Sequence, residues 1–122
     1  MRSRGGHISK RLGDGLLLTF PSPEAAVLAC LELVDAEPSP LRLRAGIHVG
    51  EVVVAGDEII GHVVNVAARV AESANGGEVL VTDEVRDAVK GVGGVQFGRA
   101  RGKTFKGVGE KVMVCRAERK SG

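Results

Sequence analysis

The run HISKRLGDGLLLTF, residues 7–20, constrains the fold more than any other stretch of this chain. HISKRL alternates in polarity, as a strand with one covered face does. LLLTF is a continuous apolar run, the pattern of a strand buried on both faces. Gly-Asp-Gly stands between them as a turn signal. Strands this close in sequence pair antiparallel, because a parallel pair needs a crossover of about a dozen residues or more. An all-parallel, doubly wound sheet is therefore disfavoured from the start.

The rest of the chain alternates helix and strand patterns in mixed order. Ser22 or Pro23 opens a predicted helix over EAAVLACLELV, with proline suited to the first helical position, and EPSP at 37–40 ends it. LRLRAGIHV, 41–49, alternates as a strand, Gly50 allows a bend, and EVVVAG continues extended. GDEIIG, 56–61, reads as a loop. HVVNVAARVAESA reads as a helix stopped by Asn-Gly-Gly at 75–77. EVLVT is a strand, DEVRDAV a short helix with an Asp cap, VGGVQFG a weak strand and EKVMVCRAE a final one. This order predicts an α/β sandwich of the ferredoxin type: a mixed sheet flanked by helices, in a single domain over 1–122.

Composition narrows the function classes. Apolar residues make up 43% of 122, enough for a buried core, yet there are three Phe and no Tyr or Trp. The core must be aliphatic, and the stacking platforms of single-stranded nucleic-acid binders are missing. Seventeen basic and fifteen acidic residues are mixed along the chain, so no nucleic-acid arm or membrane-binding patch stands out. No apolar run approaches the ~18 residues of a membrane span, and the polar N-terminus is no signal peptide. Cys30 and Cys115 sit in apolar runs without metal-ligand spacing, as core thiols of a reducing compartment do. A cytoplasmic location is the expectation.

Several residues could carry chemistry. Asp14 between two glycines reads either as a plain hairpin turn or as a metal-binding carboxylate where phosphates can approach the backbone. Lys10 lies four residues before it. Asn65 and Arg69 are four apart and share a helix face, either as a solvated ridge or as a site for an anion. RGKTFKGVGEK, 101–111, contains Gly-Lys-Thr but is no phosphate-binding P-loop: the position five before Gly102 is Phe97, and Gly98 is one residue out of register. It reads as a Gly-rich loop presenting Lys103, Lys106 and Lys111. His7, His48 and His62 show no ligand spacing and receive no role.

Taken in order, GGHISKRLGDGLLLTFPSPEAAVLA, LRLRAGIHVGEVV, GHVVNVAARVAESANGGEVLVTDEV and RGKTFKGVGEKVMVCR resemble the catalytic domain of class III adenylyl/guanylyl cyclases, in the style of bacterial, actinobacterial members. The resemblance covers about residues 5–117. It implies cyclisation of ATP to 3′,5′-cyclic AMP and pyrophosphate with two Mg²⁺ or Mn²⁺ ions, at sites formed across a head-to-tail dimer. By position, Asp14 matches the second of two metal-binding aspartates. Lys10 matches the lysine that reads adenine, and Glu58 the residue that accepts from the adenine amino group. Asn65 matches the asparagine that positions the ribose, Arg69 the arginine that stabilises the transition state, and Lys106 the lysine that holds the triphosphate. Lys10 favours ATP over GTP, although Glu58 is one methylene longer than the Asp common at its position.

One departure from the family is large. Its members begin with a strand of the form Phe-x-Asp-Ile-x-Gly and following helices, which MRSRGG does not match. The first metal aspartate is thus expected to be missing from this chain. A central strand between LLLTF and LRLRAGIHV is expected to be missing too, leaving two open edges. Three readings follow: an adenylyl cyclase domain seen as an incomplete chain, a half-site homologue that pairs with a full-length cyclase as a heterodimer, or a remnant that folds poorly.

Overall fold

In a computed structural model, the structure describes residues 7–12, 15–35, 43–51, 53–55 and 58–120. β1 (His7–Leu12) and β2 (Gly15–Thr19) pair antiparallel as the early hairpin requires. α1 (Pro23–Asp35) follows, with Pro23 in its first turn. Ser22 caps it: its hydroxyl oxygen accepts the Ala25 N–H at 3.1 Å, and its carbonyl accepts the Ala26 N–H at 3.2 Å. The expected terminator, EPSP, lies outside the described residues.

β3 is Ala45–Ile47, and a second hairpin joins β4 (Val53–Ala55) to β5 (Glu58–Ile60). α2 (His62–Ser73), β6 (Val79–Thr82), α3 (Asp83–Val89), β7 (Val95–Phe97), β8 (Arg101–Thr104) and β9 (Lys111–Arg119) complete the order. β3 runs parallel to β6, and β6 antiparallel to β9. The other edge of β9 is shared: β8 takes its first half and β7 its last residues, both antiparallel. The result is the expected mixed sheet flanked by helices.

β6 is buried along its whole length, and its side chains alternate between two cores. Val79 and Val81 join Cys115 and Ala117 against α1 and α3, where Val27, Leu31, Val85 and Val89 pack. Leu80 and Val114 face the opposite way, onto Val66, Val70 and Ala74 of the α2 segment. Val27, Val70, Val81, Val85 and Val114 are 0% exposed. At roughly 1.5 kcal/mol or more each, such valines carry a core in which three Phe are the only aromatic residues.

Four local expectations change. Residues 58–60 are a strand and not part of a loop, because two β-branched runs flank a two-residue Gly-Asp turn signal. Arg101–Thr104 is likewise a strand, zipped onto Lys111–Val114, which confines the loop to the residues after it. α3 begins after Thr82, not after an Asp cap, and the Thr82 side chain makes no cap bond to the helix. Asn-Gly-Gly does not cap α2. Ala74 is already extended, and the tripeptide forms a separate turn in which the Glu78 carboxylate accepts the Asn75 N–H at 2.9 Å.

Candidate functional site

α2 is the element that positions the candidate residues, and a glycine positions α2. A Cβ built on Gly46 of β3 would fall 2.8 Å from the Ala67 carbonyl oxygen. The helix can lie this close to the strand only because Gly46 has no side chain. Val66 (2%) and Val70 (0%) then enter the core. Asn65 and Arg69, each one residue earlier, lie on the outward ridge. Asn65 is exposed and Arg69 half-exposed. Arg69 Nη1 donates to Glu72 Oε1 at 3.1 Å, so Asn65, Arg69 and Glu72 form one polar ridge at helical spacing.

The loop after β8 packs onto the core cluster that takes the inward face of α2. Phe105 and Val108 pack against the cluster of Val66, Val70, Leu80 and Val114. Exposed Lys106 and Gly107 lie between those two anchors, and the Val108 N–H closes the turn onto the Phe105 carbonyl at 3.2 Å. Gly107 and Gly109 take positive φ, 84° and 89°, which L side chains adopt at a cost. The loop expected to present Lys106 is therefore pinned at Phe105 and Val108 to the core cluster that also takes Val66 and Val70 of α2.

Lys10 and Glu58 lie on neighbouring strands. β1 packs against β5, and these carry Lys10 and Glu58 respectively. The β1–β2 register slips by one residue between Ile8 and Lys10, a bulge that resets the strand immediately before Lys10. Asp14 lies outside the described residues.

His48, given no role above, is tied to the α3 start. His48 Nδ1 and Thr82 Oγ1 are 2.8 Å apart, and Thr82 is fully buried. Burial pushes the imidazole pKa below its ordinary value, the nearby His62 charge pushes the same way, and Asp83 opposes them. Sequence spacing missed Gly46, Glu72, Phe105 and this histidine. A Gly inside a strand pattern was the available signal for Gly46, and Glu72 at i+3 from an arginine was the signal for the ion pair.

Among the described residues, no three His, Cys, Asp or Glu side chains come together where a metal could sit. Those residues alone do not make a metal centre. Also among them, no helix is long and apolar enough to cross a membrane.

The family described as "Adenylate and Guanylate cyclase catalytic domain" matches residues 24–115. The pH-sensitive adenylate cyclase of Mycobacterium tuberculosis is 35% identical over 116 residues, which is 90% of this chain and 29% of that protein. Putative adenylate cyclase 3 of Rhizobium meliloti is 33% identical over 101 residues, 75% of this chain and 17% of that protein. The crystal structure of an adenylate/guanylate cyclase/hydrolase from Silicibacter pomeroyi superposes with a TM-score of 0.75 at 24% identity, covering 97% of this chain and 75% of that one. The chain spans less than a third of the length of these two curated relatives.

Proposed function

Since the chain belongs to the adenylate and guanylate cyclase catalytic domain family, we propose that it is an adenylate cyclase catalytic domain, converting ATP to 3′,5′-cyclic AMP and pyrophosphate. The observation that carries this reading is that the Lys106 loop, through Phe105 and Val108, and the helix bearing Asn65 and Arg69, through Val66 and Val70, are anchored on one core cluster. Two cationic groups and one amide are then carried by elements that share one core cluster, the equipment for a triphosphate and its ribose.

In the reaction, the ribose 3′-oxygen bonds to the α-phosphorus, the bond from that phosphorus to the bridging oxygen breaks, and pyrophosphate leaves. Charge builds on the α-phosphoryl oxygens and on the leaving group. Arg69 answers the first with a guanidinium that stays charged at any physiological pH. Lys106 holds the β- and γ-phosphates as a point charge. Asn65 fixes the ribose by donating to a ring or hydroxyl oxygen, which keeps the 3′-oxygen aimed at phosphorus. Lys10 and Glu58, on adjacent strands, read the base: the ammonium donates to adenine and the Glu58 carboxylate accepts its amino group. Relatives named as adenylate cyclases support ATP over GTP.

Divalent metal ions serve this family. Asp14 is the ligand we assign here, and a bound Mg²⁺ or Mn²⁺ would favour ionisation of the 3′-hydroxyl. The site is assigned to a head-to-tail dimer, with Asp14 from one copy facing Asn65 and Arg69 of the other. The test is cyclic nucleotide formation by the purified chain with Mn²⁺ and either ATP or GTP, beside Asp14→Ala and Arg69→Ala. Cyclic AMP formed by the chain alone and lost in both variants would mean that another carboxylate replaces the first metal aspartate. Cyclic GMP formed from GTP in excess of cyclic AMP formed from ATP would overturn the ATP assignment. Product formed only after mixing with an intact cyclase domain would make this chain a half-site partner.

A further inference from the structure

We propose that Glu72 is the positioning residue of Arg69: it holds the guanidinium along α2 in the ligand-free chain and yields it when a polyphosphate arrives. The inference rests on the reading of Arg69 as a phosphate-binding group. Arg69 Nη1 and Glu72 Oε1 are 3.1 Å apart, three residues along one helix, with side chains 43% and 65% exposed. A lone arginine on a helix ridge samples many rotamers. A carboxylate at i+3 holds it against the helix surface, on the ridge that carries Asn65.

The exposure of the pair decides what happens next. An ion pair in water is weak and screened by salt, and this one is made through a single nitrogen–oxygen contact. A polyphosphate offers the same guanidinium several oxygens and more charge, and can take both of its edges. Glu72 therefore loses the competition, but its carboxylate stays nearby and opposes the incoming anion. It acts as a counterweight on affinity: it orders Arg69 before binding and weakens the anion once bound. Glu72 also sits on the solvent side of α2, so replacing it disturbs no core contact.

The experiment is calorimetric titration of the full chain with inorganic tripolyphosphate, then with ATP. Wild type is compared with Glu72→Gln, Arg69→Ala and the double variant, at low and at high NaCl. Glu72→Gln should bind tripolyphosphate about 3- to 5-fold tighter at low salt, the range an exposed ion pair commands. The gain should shrink at high salt and vanish in the Arg69→Ala background. Unchanged or weaker binding by Glu72→Gln, with binding lost in Arg69→Ala, would overturn the role of Glu72 and leave Arg69 as a phosphate ligand. A gain that persists without Arg69 would also overturn it, since Glu72 would then act as a general negative charge. Arg69→Ala binding as tightly as wild type, or no binding by wild type at all, would remove the phosphate reading of Arg69 and this proposal with it.

Discussion

Gly46 and Ala71 meet backbone to backbone where β3 passes under α2: a Cβ on Gly46 would lie 2.7 Å from the Ala71 Cα. That closeness links a strand of the sheet to the helix on which the candidate site is built. It also means that one hydrogen atom, where any other residue has a carbon, sets the height of Asn65 and Arg69 above the sheet.

Gly46→Ala should therefore destabilise the chain by about 1–3 kcal/mol, the usual cost of overpacking a tight site. The obstacle is helix backbone, which no rotamer change relieves. Gly102 is the control. A Cβ there meets only the Lys111 side chain, 2.6 Å from its Cδ, and that chain can swing away. Urea denaturation of both variants should show a lowered midpoint for Gly46→Ala and a near-native one for Gly102→Ala.

Phe105→Ala should separate binding from folding. Phe105 is half-buried against the cluster of Val66, Val70, Leu80 and Val114, so its loss costs stability, less than the ~3–5 kcal/mol of a fully buried Phe. It also removes one of the two anchors of the Lys106 loop. On the proposed function, the KM for ATP should rise more in this variant than in Val108→Ala. Steady-state kinetics at a temperature where both variants are fully folded checks it.

The two thiols should be inert in the folded chain. Burial pushes the Cys30 pKa up to about 11 and raises that of Cys115 as well. At pH 8 a pKa of about 11 leaves roughly a thousandth of Cys30 as the reactive thiolate. A chromogenic disulfide reagent should label neither cysteine at pH 8 without denaturant and both after unfolding. Rapid labelling of either in the folded chain would show that its core segment opens.

Much of this architecture was legible because its signals are local. Gly-Asp-Gly forced a hairpin, Ser-Pro set the start of α1, and the unbroken Val-Leu-Val run announced a strand covered on both faces. The four-residue spacing of Asn65 and Arg69 needed only the helix period. What stayed hidden depends on distant partners. Gly46 matters because α2 arrives from twenty residues further on to lie against it. Thr82 looked like ordinary strand end until His48 took its hydroxyl. Glu58 reads as loop from sequence because its partner run, Val53–Ala55, reads as a continuation of the preceding strand. The sheet decides such pairings, and a short window does not contain it.

His48 gives the chain an acid sensitivity whose sign can be worked out. Its imidazole bonds Thr82 in a half-buried position, and its pKa lies below the ordinary 6.5. The unfolded chain therefore takes up a proton at a higher pH than the folded chain does. Stability from this group is complete above about pH 6.5 and is lost as the pH falls through the lower folded value. Glu84 runs the other way, because burial and a hydrogen bond with Asp83 raise its pKa, so the folded chain holds that proton more tightly. The difference between wild type and His48→Gln isolates the histidine. Melting temperatures taken from pH 7.5 to 5.5 should fall more steeply in wild type than in His48→Gln. Parallel curves would mean that His48 ionises in the folded chain as readily as in the unfolded one, and that its bond to Thr82 does not depend on the neutral ring.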